Sequence, residues 1–311
     1  MRASFVRTLV ELAERDPRLV LLTGDLGYMS LEPFADRFPE RFFNVGVAEQ
    51  NMVGLATGLA EAGYIPIVYS IVTFAVLRPY EFIRNGPVYH ALPVRIVGVG
   101  GGVEYGHDGI SHYGLEDVGV LRILPGITVL APADHEQARS ALLSTWNLEG
   151  PVYYRLGKDE KTVVRGLGGR FELGKAQTIG DGKDVLLITM GSVAPEGIKA
   201  LDILAAHGVS GSLMIVASVS PPPLEDLVES LGRFPVALTV EAHYTTGGVG
   251  SLVAEIIAEH GLGCRLVRLG VEGLPNGSTG GRDYLYAMYG LTGEIIAGKA
   301  LKALRSGRKV S

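Results

Sequence analysis

The chain has 311 residues, of which 47% are hydrophobic and 20% charged, and its 28 Lys plus Arg against 33 Asp plus Glu give a net charge of −5. This length points to two domains of roughly 100–200 residues each, with enough apolar surface for sizeable cores. The acidic balance and the absence of any long basic run argue against nucleic acid as a partner. Cys264 is the single cysteine, which excludes an internal disulfide and a cysteine-clustered zinc site; its apolar neighbours point to a buried, inert thiol. Charged residues from Arg2 to Asp16 leave no apolar signal core, and no uncharged apolar stretch reaches transmembrane length, so a cytoplasmic protein with no membrane partner is expected.

In chain order, Val6, Leu9, Val10 and Ala13 fall on one face of a helix over residues 3–14, followed by a buried strand at 19–22. Strand 43–47, helix 49–62, strand 65–69, a helix near 80–91 and strand 94–99 continue the alternation. Asp134 with Gln137 three residues on resembles a capping box for the next helix, and a strand at 152–155 closes the first unit. Periodicity is then lost, and glycine and charge rise. A second unit carries strand 185–190, helix 195–206, strand 213–219, a triple-proline break, helix 224–231, strand 236–240 and a helix around Val249 to Ile257. Strands separated by helices specify an α/β fold of two domains, each with a mostly parallel sheet flanked by helices. The expected boundaries are residues 1–157, a linker at 158–184, and residues 185–311. The short basic end at 305–309 reads as a solvated terminus.

The segment Asn44-Val45-Gly46-Val47-Ala48-Glu49-Gln50-Asn51 ends a strand and opens a helix with a carboxylate in its first turn. An acid there complements the helix dipole, but apolar Val45, Val47 and Met52 point to a buried carboxylate that needs a dedicated partner. Asp108 and His112 lie four residues apart in a glycine-rich loop after a strand, where open α/β sheets place ligand-contacting groups.

Asn-x-Gly-x-Ala-Glu-Gln resembles the pyrimidine-site motif of the transketolase and 1-deoxyxylulose-5-phosphate synthase group. Gly106-His107-Asp108-Gly109-Ile110-Ser111-His112 is similar to the Gly-x-Asp-Gly-x-Thr-His loop of the same enzymes, with Ser111 in place of threonine. The resemblance extends through Leu124-Pro125, Ala131-Pro132-Ala133-Asp134, Tyr154-Arg155 and Tyr289-Gly290-Leu291-Thr292, and covers only the C-terminal two domains of a full-length transketolase. It implies a thiamine diphosphate pyrimidine-binding fold followed by the transketolase C-terminal domain.

The same resemblance implies roles for individual residues. Glu49 is expected to hydrogen-bond the pyrimidine ring nitrogen and favour the imino form of the exocyclic amino group, which can then take the thiazolium proton; the cofactor serves as the electron sink for carbon–carbon cleavage. The segment from Ser70 to Asn85 should supply an aromatic platform for the pyrimidine, with Phe74 the first choice and Phe82 the second. Asp25 matches an acid near the cofactor. His112 is expected at the developing alkoxide and Asp108 at a substrate hydroxyl, whereas His107 has no assigned role. Arg155 matches an arginine that holds a sugar phosphate, an interdomain ion pair being the alternative. Gly100 stands where the family usually has a histidine, which puts recognition of an ordinary sugar phosphate in question.

Gly180-Asp181-Gly182 imitates the start of a magnesium and diphosphate motif, but no asparagine lies between Asn147 and Asn276 to complete it. A hairpin turn is expected there instead, and no metal site in this chain. Glu241-Ala242-His243 with the glycines at 247, 248 and 250 suggests a phosphate cradle only weakly, and interdomain packing is the expected role. The implied protein is the C-terminal subunit of a split transketolase that moves a two-carbon ketol unit from a ketose to an aldose, with a sugar or sugar phosphate as substrate. Its partner, the N-terminal subunit, would bring the diphosphate and magnesium site, in a heterotetramer of two copies of each chain. The alternatives are a thiamine diphosphate synthase using a 2-oxoacid, a dehydrogenase beta chain, and a non-catalytic assembly subunit.

Overall fold

The structure, a computed structural model, describes residues 1–307. The expectation for Arg308 and Lys309 therefore lies outside the described residues. The strands are β1 (Leu19–Thr23), β2 (Phe42–Asn44), β3 (Ile65–Ile71), β4 (Arg95–Val99), β5 (Thr128–Leu130), β6 (Val152–Leu156), β7 (Gln177–Ile179), β8 (Val185–Met190), β9 (Gly211–Ile215), β10 (Ser218–Ser220), β11 (Val236–Tyr244) and β12 (Arg265–Val271). The helices are α1 (Arg2–Ala13), α2 (Glu32–Arg37), α3 (Glu49–Glu61), α4 (Val72–Val76), α5 (Tyr80–Ile83), α6 (Asp117–Arg122), α7 (His135–Thr145), α8 (Ala194–Ala206), α9 (Leu224–Arg233), α10 (Val249–Glu259), α11 (Arg282–Met288) and α12 (Gly293–Gly307).

Two α/β sheets result. One orders seven strands as β10-β5-β6-β4-β3-β1-β2, and the other orders five as β12-β11-β8-β9-β7. Among the described residues all strand pairings are parallel except β10 on β5 and β7 on β9. Strands β1, β3, β4, β6 and β8 are buried along their whole length, as continuous apolar runs covered on both faces must be. Asp134 caps α7 as its spacing predicts, its side chain accepting from Gln137 N at 2.8 Å while Gln137 Oε1 accepts from Ala133 N.

The two sheets share one apolar cluster that runs from Val20 and Val68 through Tyr153 to Leu186, Ile188 and Ala237. The expected strand at 213–219 is in fact two. After β9 the chain leaves the second sheet and lays β10 antiparallel on the edge of the first, where Ser220 Oγ also donates to Ile127 O. The hairpin expected at 180–182 is absent, because β9 lies between β7 and β8. A Cβ on Gly182 would meet the Gly211 backbone at 2.4 Å, so this turn crosses β9 at backbone contact. The helix expected near 80–91 shortens to α5 and a single π-turn, Arg84–Val88, around Pro87, which cannot donate the next helical bond. The strand expected at 43–47 ends at Asn44. Among the described residues no helix is long and apolar enough to cross a membrane.

Candidate active site

The first sheet presents its strand C-termini along one edge, and the candidate residues follow from it: Asp25 after β1, Glu49 after β2, Phe74 after β3, and Asp108 and His112 after β4. Asn44 stitches this edge together. Its Oδ1 accepts from Asp25 N and Gly46 N, both at 3.0 Å, and its Nδ2 donates to Asp25 Oδ1 at 2.9 Å. Gly46 takes φ +73°, a left-handed turn that suits glycine, and delivers Glu49 as the first residue of α3.

Glu49 is buried, at 3% exposure. Burial does not come from Val47, which is 69% exposed; the Gly24 turn packs alongside, where an added Cβ would lie 3.7 Å from Glu49 Oε1. Both carboxylate oxygens accept from Nη1 of Arg78, at 2.8 and 3.0 Å. The guanidinium carbon of Arg78 sits 3.8 Å from the centre of the Phe74 ring. Phe74 in turn meets the His112 imidazole edge-on, at 5.0 Å between centroids and 69°. Ser111 Oγ lies 3.0 Å from His112 Nδ1, so a hydroxyl steers the ring and leaves Nε2 for a ligand. The Tyr105 ring closes the far side, 6.2 Å from His112. A cleft of about 430 Å³, lined by Val47, Ala48, Glu49, Gln50, Asn51 and Arg78, opens beside the carboxylate.

Glu49, Phe74 and His112 are thus brought together, and Arg78 joins them although no sequence motif marks it. It stands four residues after Phe74, in the connection between α4 and α5. Asp25 stays exposed at φ +60° on the neighbouring wall, held by Asn44, with Gly24 between it and Glu49. Phe82 does not join the cluster; it is 40% exposed and faces Gly54, further along α3. Asp108 is exposed in the short 3-10 turn Gly106–Asp108, at the mouth of the loop.

Arg155 is not available to a substrate phosphate in this arrangement. It is buried, with Nε donating to Asp117 Oδ2 at 2.8 Å and Nη2 donating to Gly114 O and Ala242 O at 2.8 and 2.9 Å. Tyr153 Oη adds a 2.7 Å bond to the same carboxylate oxygen, so the ion pair lies within the first domain rather than between domains, and Arg155 reaches the second sheet only through the Ala242 carbonyl. Gly100 has φ +78°, and a Cβ there would lie 2.2 Å from the Tyr105 ring; the space of any side chain at 100 is taken by Tyr105.

The glycine-rich start of α10 is no phosphate cradle either. Glu241 fills it, accepting from Val249 N and Gly250 N at 2.8 Å each. A Cβ on Gly248 would fall 1.9 Å from Glu241 Oε2, so only glycine fits. Burial pushes the Glu241 pKa up to about 7 against these two donors. Burial also lowers that of neighbouring His243, whose Nε2 accepts from Gly119 N of the first domain at 3.3 Å. Among the described residues, no group of three His, Cys, Asp or Glu side chains is placed to hold a metal ion.

The donor set fits an aminopyrimidine. A dry carboxylate accepts hydrogen bonds, a flat aromatic face lies beside it, and a planar cation bearing N–H donors already sits between the two.

Comparison with known proteins identifies the family. Residues 1–162 match the transketolase pyrimidine-binding domain and residues 174–296 the transketolase C-terminal domain. A putative transketolase C-terminal section from Methanocaldococcus jannaschii is 38% identical over 308 residues, covering 98% of this chain and 96% of that protein. An apulose-4-phosphate transketolase subunit of Phocaeicola vulgatus is 33% identical over 306 residues, covering 98% and 97%. A solved structure described as a split gene transketolase, inactive beta4 tetramer, superposes with a TM-score of 0.87 at 36% identity, covering 98% of this chain and 97% of that one. With matched domains along its length and the carboxylate of the pyrimidine motif buried beside an aromatic face, the chain belongs to the transketolase family.

Proposed function

We propose that this chain is the C-terminal subunit of a two-component transketolase, which moves a two-carbon ketol unit from a ketose donor to an aldose acceptor. The observation that carries the reading is the buried Glu49 carboxylate set against Phe74 and His112 at the C-terminal edge of the sheet. Thiamine diphosphate supplies the electron sink for cleavage of the carbon–carbon bond. Glu49 would hold a pyrimidine ring nitrogen, and its dry setting makes that polarisation far stronger than a solvated acid could. Phe74 would take one face of the ring. His112, oriented by Ser111, would hand a proton to or from the substrate oxygen through Nε2, with Asp108 at a substrate hydroxyl and Asp25 near the cofactor.

The diphosphate and magnesium belong, in this reading, to an N-terminal partner chain, and the assembly works in the cytoplasm. Glu241 occupies the glycine-rich helix start that could have cradled phosphate, and Gly180-Asp181-Gly182 serves a strand crossing. The relative described as an inactive beta4 tetramer supports an incomplete site in the unpartnered chain, and the relatives named as a transketolase section and a transketolase subunit support a divided enzyme, for which two copies of each chain is the assembly proposed. The matches to 1-deoxy-D-xylulose-5-phosphate synthase, at 35% identity over 46% of that enzyme, keep a 2-oxoacid donor as the second reading. Reconstitution with the partner chain and a screen of ketoses against pyruvate decides. Ketose-dependent transfer that falls at least about a hundredfold in Glu49→Gln is expected. Full activity in that variant, or turnover with pyruvate alone, would overturn the proposal.

A further inference from the structure

One guanidinium makes both contacts that an aminopyrimidine would need. Arg78 Nη1 donates to the two oxygens of Glu49 at 2.8 and 3.0 Å, and its Cζ stands 3.8 Å from the Phe74 ring centre. Guanidinium and aminopyrimidine share the relevant chemistry: each is flat, carries in-plane N–H donors and stacks on an aromatic face. We infer that Arg78 is a placeholder for the cofactor ring, pairing Glu49 until the pyrimidine enters and then yielding its position.

Placement supports an exchange rather than a fixed structural pair. Glu49 is buried at the start of α3, and an unpaired carboxylate there would be costly. Arg78 is 44% exposed, so its head can move into solvent without opening a cavity. It also lies between α4 and α5, next to Pro79, in a connection rather than inside a helix. The consequence is competition: the observed affinity for the ring is the intrinsic affinity reduced by the fraction of chains in which Arg78 has withdrawn. The inference rests on the thiamine diphosphate reading of this site.

The test uses the full chain and the free aminopyrimidine alcohol of thiamine as the probe, with binding followed by calorimetry in wild type, Arg78→Ala, Arg78→Lys, and Arg78→Ala combined with Glu49→Gln. Removing the resident competitor should tighten binding by about tenfold or more in Arg78→Ala. Millimolar guanidinium should then weaken binding in that variant competitively, because it refills the vacated position. Arg78→Lys keeps a charge for Glu49 but leaves the Phe74 face open, so it should tighten binding by a smaller factor; it carries the test if Arg78→Ala does not fold. Equal or weaker binding in the Arg78 variants, with Glu49→Gln still abolishing it, would overturn the placeholder and leave the pyrimidine site standing. Binding indifferent to Glu49→Gln, or absent in all forms, would overturn both.

Discussion

Replacing Arg155 by methionine keeps most of the side-chain volume and removes the charge from the junction of the two sheets. Arg155 and Asp117 are 2% and 1% exposed, so the loss leaves a buried carboxylate whose remaining side-chain hydrogen bond comes from the Tyr153 hydroxyl, and two carbonyls, of Gly114 and Ala242, without that donor. Breaking a buried pair by removing one partner costs about 3–5 kcal/mol. At about 2 °C per kcal/mol for a chain of this size, the melting temperature should fall by about 6–10 °C. Adding Asp117→Asn removes the stranded charge while leaving an acceptor for Tyr153, so the double variant should recover at least about a third of the loss. Thermal denaturation of wild type, Arg155→Met, Asp117→Asn and the double variant reads this directly. A melting temperature for Arg155→Met within about 1 °C of wild type, or no recovery in the double variant, would refute the structural role assigned to Arg155.

Three further outcomes are expected. Glu241 has its pKa raised from 4.5 to about 7, so its burial costs nothing below pH 4.5 and its full amount above pH 7. The stability of Glu241→Gln relative to wild type should therefore rise across that window, by up to about 3 kcal/mol, in urea unfolding at a series of pH values; a flat difference contradicts it. Gly100→Ala places a Cβ at positive φ and 2.2 Å from Tyr105, so it should lose about 2 kcal/mol or more and melt correspondingly lower. The Cys264 thiol is pushed up to about 11 by burial. At pH 8 only about one molecule in a thousand carries the thiolate, so a disulfide reagent should label the native chain negligibly and the unfolded chain once.

Most of the architecture is legible because parallel strands between helices are long apolar runs with clear punctuation, as in Ile65–Ile71 and Val185–Met190. Three-residue strands such as Thr128–Leu130 fall below the length at which periodicity carries information, and the six-residue helix Asp117–Arg122 carries Gly119 in its interior. The passage from β9 to β10 is hidden for another reason. Val216 and Ala217, between the two strands, are buried and apolar, so nothing local marks the point where the chain changes sheets. Within the site, Glu49 and His112 are readable from motif and context. Arg155 misleads, since a strand-end arginine looks the same whether its fork meets a phosphate or Asp117, Gly114 and Ala242. Arg78 escapes a sequence reading because its role depends on two residues, Glu49 and Phe74, that are remote in sequence from each other.

The most direct measurement is a crystal structure of the chain bound to its partner and thiamine diphosphate. The account predicts a Glu49 carboxylate oxygen about 2.6–3.2 Å from a pyrimidine ring nitrogen, the ring against Phe74, and Arg78 withdrawn from both. A cofactor bound elsewhere, with Glu49 still paired to Arg78, would contradict it.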